Sequence, residues 1–236
     1  MIGHPIEHSL SPKMHNAGFA ANGLDYAYVA LDVTPGRLPE AVAGLAALGF
    51  EGFNVTMPHK EKIIPLLDEV DEVATVSGAV NTVVIRDEIL RGMNTDGSGF
   101  VEACAEAGVG FAGKRVLLLG AGGAGAAVAV AVLGEGAGEL VIANRTVSRA
   151  RDLRMKLKNA GADAEIFPRS LEGLEDAVER ADVIVNTTYL GMKEGDPLPA
   201  PVERLNSEKA VCDAVYRGGD DTELLRRARA AGAQVV

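Results

Sequence analysis

Residues 117–125 read L-L-L-G-A-G-G-A-G and residues 139–145 read E-L-V-I-A-N-R, and these two stretches decide the fold. An apolar run, Val116 to Leu119, leads into Gly120, Gly122 and Gly125 at the spacing G-x-G-x-x-G. The first glycine of such a run permits a tight turn, the second admits a pyrophosphate to the backbone, and the third lets a helix pack close to the strand. The helix start offers free N–H groups and the positive end of a dipole to that anion. Gly120, Ala121, Gly122, Gly123, Ala124 and Gly125 are therefore candidates to hold a dinucleotide. A glycine-rich turn alone would be weak evidence in a chain with 28 glycines. The strand before, the helix after and the second strand at Leu140 to Ala143 give it its context.

An NAD site usually places Asp or Glu about 20 residues on, for the ribose 2′-hydroxyl. This chain has Asn144 there, followed by Arg145. Asn144 does not repel a 2′-phosphate, and the always-charged guanidinium fork of Arg145 pairs with one. Arg149, one turn into the next helix, lies on the same side. The expectation is NADP(H).

Length and composition set bounds. The 236 residues, 47% hydrophobic, can bury one large core or two small ones. A net charge of −10 argues against nucleic acid, which needs a basic footprint. Cys104 and Cys212 provide neither a disulfide framework nor a metal cluster, and the start lacks the pattern of a secretory signal. The apolar stretch Ala124 to Leu133 is too short to span a bilayer. The expectations are a cytoplasmic monomer or homodimer with no metal, no membrane and no nucleic-acid partner.

Two α/β halves are read along the chain, residues 1–98 and 99–236. In the first, Ser11 is expected to cap a helix that Pro12 opens and Asn22-Gly23 closes. Strands are expected at Tyr26–Asp32 and Gly52–Val55, helices at Pro35–Leu48 and Lys60–Leu67, and a hairpin at Val80–Ile85 and Ile89–Met93. Gly97–Ala107 reads as a helix bridging the halves. In the second half, strands are expected at Val116–Leu119, Leu140–Ala143, Glu165–Phe167, Val183–Asn186 and Ala210–Asp213. Helices near 122–133, 147–159, 171–179 and 221–231 alternate with them. That alternation implies a parallel sheet covered on both faces.

Polar residues gather at the strand ends of the first half, where α/β sheets place ligands. Ser9 and Ser11, in S-L-S-P before a helix, suit a small carboxylate. N-V-T-M-P-H-K, Asn54 to Lys60, ends a buried strand in a polar turn and places Lys60 at an expected helix start. The dipole there would disfavour its charged form. Asn81 in G-A-V-N-T and Asp96 in N-T-D-G-S-G sit beside glycines that let a ligand come close.

With S-L-S-P-x-x-H-N, N-V-T-x-P-x-K, G-A-V-N-T, N-T-D-G-x-G, G-A-G-G-A-G, N-R-T-x-x-R-A, N-x-T-x-x-G-M and D-x-V-Y in this order, the chain resembles the shikimate dehydrogenase family over essentially its whole length. The resemblance implies an α/β fold with an N-terminal catalytic domain, a C-terminal Rossmann-like NADP domain and a site in the cleft between them. It implies NADPH-dependent reduction of 3-dehydroshikimate to shikimate, on the route to aromatic amino acids. By that resemblance Ser9 and Ser11 hold the substrate carboxylate, Thr56 and Asn81 bind ring hydroxyls, and Lys60 and Asp96 form the catalytic pair. Asn144, Arg145, Thr146 and Arg149 would meet the adenosine and its phosphate, Thr188 and Met192 the nicotinamide ribose, and Tyr216 the substrate. Ser11, where quinate-accepting relatives tend to carry Thr, favours the shikimate-specific branch. Alternatives are an NAD-preferring quinate/shikimate dehydrogenase and a non-catalytic NADP-binding relative. Both ends read as cut, and the family's final segment, with a substrate-contacting Gln, is expected to be missing.

Overall fold

A computed structural model describes residues 1–217 and 219–236. The chain divides into two compact units, Met1–Thr95 and Asp96–Val236. The boundary falls three residues before the expected one, because the bridging helix already begins at Asp96.

In the first unit the elements are β1 (Ile2–Gly3), α1 (Ser11–Ala21), β2 (Leu31–Asp32), α2 (Leu38–Ala47), β3 (Gly52–Asn54), β4 (Glu69–Val70), α3 (Glu72–Ser77), β5 (Thr82–Arg86) and β6 (Ile89–Met93). Four strands form a sheet in the order β3-β5-β6-β4, and β1 pairs in parallel with β2. A parallel bridge from Ile2 to Val55 joins β1 to the end of β3. Ile2, Leu38, Val42, Leu45, Phe53, Val55, Ile63 and Val83 fill the core on which these strands rest. Their burial, at about 25 cal/mol per Å² of apolar surface, is the main stabilising contribution.

Several local expectations are corrected here. Leu10, not Ser11, is the N-cap of α1, and no side chain caps it among the described residues; Ser11 is its first residue. The expected strand at Tyr26–Asp32 shrinks to Leu31–Asp32, since the Tyr28 backbone pairs with the Asn16 side chain instead of a ladder. No α-helix forms over Lys60–Leu67. Pro65 supplies no N–H there, and only a 3₁₀ turn, Ile64–Leu66, results. The helix expected from Pro35 begins as a 3₁₀ turn and becomes regular at Leu38.

The second unit contains α4 (Asp96–Glu106), β7 (Arg115–Leu119), α5 (Gly123–Gly134), β8 (Glu139–Ala143), α6 (Val147–Asn159), β9 (Glu165–Arg169), α7 (Glu175–Arg180), β10 (Val183–Asn186), β11 (Ala210–Asp213), α8 (Glu223–Ala230) and β12 (Gln234–Val235). Six strands pair in parallel in the order β12-β11-β10-β7-β8-β9. The expected strands are all present, and α7 is shorter than expected because residues 171–173 bend before it. Leu117, Leu118, Leu119, Leu140, Ile142 and Ile184 are fully buried, as a sheet covered on both faces requires. The order reverses between β7 and β10, and a ligand of an open α/β sheet binds at the carboxyl ends of the strands at such a reversal.

Candidate functional site

Backbone hydrogen bonds draw three of the candidate residues of the first unit together. Val55 N–H donates to the Asn81 carbonyl and Val80 N–H to the Lys60 carbonyl, both at 2.8 Å. Thr56 N–H donates to the Ile2 carbonyl at 3.0 Å, and His59 N–H to the Thr56 carbonyl at 2.9 Å. Thr56, Lys60 and Asn81 thus stand around the shared ends of β1, β3 and β5. Lys60 lies in a run of turns, so no helix dipole acts on its ammonium in the way expected. His59, between them in sequence, is fully buried and bonds through Nε2 to the Val33 carbonyl at 2.6 Å. It anchors the turn.

Ser9 and Ser11 are also neighbours: the Ser11 N–H donates to Ser9 Oγ at 3.2 Å. The Ser9 hydroxyl in turn reaches the Met1 sulfur at 3.1 Å. Both serines are half-buried at the start of α1. Asn81, buried, accepts on Oδ1 from the Thr82 hydroxyl at 2.8 Å, the Thr95 N–H at 3.0 Å and the Thr95 hydroxyl at 3.3 Å. Its Nδ2 donates to Thr95 Oγ1 at 3.0 Å.

In the second unit Gly120 follows β7 with φ +107, a left-handed conformation that favours glycine. Gly125 sits where a methyl group would lie 2.7 Å from Thr187 Oγ1 and 3.0 Å from the Gly120 carbonyl carbon. Gly122 has open space beside its Cα. Among the described residues no side chain caps α5, so its first turn keeps backbone donors for an anion. Ala121 and Gly123–Ala124 complete this loop. The residues present therefore fit a pyrophosphate.

Asn144, at the end of β8, is tied into the same loop. Its Oδ1 accepts the Ala121 N–H at 3.1 Å and its Nδ2 donates to the Thr146 carbonyl at 2.9 Å. Arg145, Thr146 and Arg149 are exposed beside it, and Arg149 N–H closes onto the Thr146 carbonyl at 3.0 Å. Two guanidinium groups on one open shelf suit a 2′-phosphate.

At the end of β10, the Thr188 hydroxyl donates to Asn186 Oδ1 at 2.7 Å. Asn186 Nδ2 donates to Asp213 Oδ1 at 2.8 Å, and the Thr222 hydroxyl that caps α8 donates to Asp213 Oδ2 at 2.6 Å. Burial pushes the Asp213 carboxyl up from its ordinary value, against these donors. Met192 is exposed on the following turn, and Tyr216 is 74% exposed beyond β11. Asp96 opens α4 in this unit. Asn186, Thr187, Asp213 and Thr222 were not among the expected site residues. Their signal in sequence is a polar residue ending an apolar strand, as Asn186 and Asp213 do in paired register.

Known proteins share this fold. Residues 1–83 match the family model of the shikimate dehydrogenase substrate binding domain, and residues 103–191 that of shikimate / quinate 5-dehydrogenase. The NADP(+) shikimate dehydrogenase of Rubrobacter xylanophilus is 59% identical over 237 residues, covering 100% of this chain and 83% of that protein. Shikimate 5-dehydrogenase from Thermus thermophilus, solved with NADP(H) and shikimate, superposes with a TM-score of 0.88 at 36% identity. That match covers 100% of this chain and 84% of the other. Quinate dehydrogenase from Corynebacterium glutamicum, solved with NAD, reaches a TM-score of 0.91 at 37% identity over 99% and 85% of the two chains.

Proposed function

This chain belongs to the shikimate dehydrogenase family, and from that premise we propose how its residues carry out the NADP(H)-dependent interconversion of 3-dehydroshikimate and shikimate. The observation that carries the residue assignments is that backbone hydrogen bonds from Val55 to Asn81 and from Val80 to Lys60 bring the segments of Thr56, Lys60 and Asn81 side by side.

NADPH, when bound, supplies the hydride that reduces the substrate ketone. The Lys60 ammonium donates to the ketone oxygen, where negative charge develops, and delivers its proton there. The Asp96 carboxylate is the second member of the catalytic pair and accepts from the hydroxyl of the substrate. Ser9 and Ser11 hold the substrate carboxylate, Thr56 and Asn81 its ring hydroxyls, and Tyr216 covers it. Gly120 to Gly125 hold the pyrophosphate, Asn144, Arg145, Thr146 and Arg149 the adenosine phosphate end, and Thr188 and Met192 the nicotinamide ribose. The reaction serves aromatic amino-acid synthesis in the cytoplasm.

NADPH oxidation in the presence of 3-dehydroshikimate, with Lys60→Ala alongside, tests this reading. Turnover is expected to fall about 10²–10⁴-fold in the variant, the range of positioned proton donors, while NADPH binding persists. Near-normal turnover in Lys60→Ala would remove Lys60 from its role.

A further inference from the structure

Two residues of the S-L-S-P-x-x-H-N motif, His15 and Asn16, take no part in the assignments above, yet both hold Tyr28. The His15 ring stacks on the Tyr28 ring with centroids 4.2 Å apart and planes 11° apart. Asn16 Oδ1 accepts the Tyr28 N–H at 2.8 Å, and its Nδ2 donates to the Tyr28 carbonyl at 2.9 Å. The chain around Tyr28 belongs to no strand, so this clamp replaces a ladder.

What the clamp aims is the phenol. Tyr28 O–H donates to Asn54 Oδ1 at 2.5 Å. Asn54 Nδ2 donates to Thr82 Oγ1 at 3.1 Å and to the Asn81 carbonyl at 3.3 Å. Having accepted from Asn54, the Thr82 hydroxyl directs its proton to Asn81 Oδ1 at 2.8 Å. The direction of this chain is fixed by chemistry. The Asn81 carbonyl can only accept, so the Asn54 amide must point its NH₂ inward and its oxygen at Tyr28. If Asn54 reversed, Thr82 would donate to Asn54 and the bond to Asn81 would be lost. Burial pushes the phenol up to about 12, so it remains a donor across the working range of pH.

We infer that Tyr28 is a positioning residue for substrate binding: through Asn54 and Thr82 it supplies one of the hydrogen bonds, beside that of the Thr95 N–H, that hold the orientation of the Asn81 amide. The inference rests on the proposed role of Asn81 toward the ring hydroxyls. Its effect belongs on KM for 3-dehydroshikimate and not on the cofactor, because every link lies in the first unit.

The test is steady-state kinetics of Tyr28→Phe, Thr82→Val, Thr82→Ser, Asn81→Ala and the double variant Tyr28→Phe/Asn81→Ala. Tyr28→Phe and Thr82→Val should each raise KM for 3-dehydroshikimate about three- to tenfold, the factor set by one neutral hydrogen bond. KM for NADPH and kcat should stay within about twofold. Thr82→Ser keeps the hydroxyl and should match the wild type. In the Asn81→Ala background, Tyr28→Phe should add less than about twofold, since coupled residues are non-additive. Unchanged KM in both Tyr28→Phe and Thr82→Val, or an equal effect of Tyr28→Phe with and without Asn81, overturns the inference. If Asn81→Ala itself leaves KM unchanged, the role of Asn81 fails first, and the inference falls with it. Those two failures are told apart by the Asn81→Ala arm alone.

Discussion

The side-chain oxygen of Asn144 accepts the Ala121 N–H at 3.1 Å, so the residue proposed to meet the 2′-phosphate also braces the glycine loop. These two duties separate on substitution. Asn144→Asp keeps an acceptor for Ala121 but adds a charge beside the phosphate. KM for NADPH should rise about 10–100-fold, with little change for NADH. Asn144→Ala loses the brace and should weaken both cofactors alike. Arg145→Ala should weaken NADPH only. Equal losses for both cofactors in Asn144→Asp would show that its charge is not felt.

Gly125→Ala would place a methyl 2.7 Å from the Thr187 hydroxyl, which itself donates to the Leu119 carbonyl at 2.8 Å. Neither neighbour can retreat without breaking β7 from its turn. Overpacking of this kind costs about 1–3 kcal/mol. A lower melting temperature and at least a tenfold loss of NADPH affinity are expected, read by thermal melts and calorimetry. An unchanged affinity would mean that the loop does not hold the pyrophosphate.

Asp182 carries a pH dependence. The Arg115 guanidinium, bonded to it at 2.8 and 3.2 Å, and the Arg115 N–H at 2.9 Å hold its carboxyl down at about 2, from an ordinary 3.8. A depressed folded pKa means stability that is present above pH 3.8 and lost as pH falls toward 2. The pair is partly exposed, so screening limits the effect to about 1 kcal/mol or less. Wild type should melt higher than Asp182→Asn at pH 6, and the gap should close between pH 4 and pH 2. A gap independent of pH would assign the effect to packing.

Ser11 and the Asn144–Arg145 pair together predict preference for shikimate with NADP⁺ over quinate with NAD⁺. A panel of both substrates and both cofactors measures it through kcat/KM. A large advantage for quinate with NAD⁺ would place the chain with the quinate enzymes, which share this fold closely.

The cofactor half was legible because its strands are apolar runs bounded by glycine and polar residues; Val183–Asn186 and Ala210–Asp213 match their expected bounds. The first half was harder. Two-residue strands such as Leu31–Asp32 carry no periodicity, and Pro65 overrode the helical pattern after Lys60. Helix α3 went unseen: six residues leave little pattern, although Asp71 caps it by accepting the Ala74 N–H at 2.6 Å. The polar groups behind the site were invisible for a different reason. Asn54 meets Thr82, and Asn186 meets Asp213, through strand register, and register is set by the whole sheet.

Helices α4 and α5 cross at Gly97, where an added methyl would lie 2.9 Å from the Ala127 carbonyl carbon and 3.0 Å from the Ala131 methyl. Only a hydrogen fits. The position after Asp96 therefore has a single admissible letter, dictated by the backbone of the helix that follows the glycine loop. Mutational drift is closed at this point whatever the enzyme reduces, so a lineage that changed its substrate would be expected to keep Gly97 unchanged.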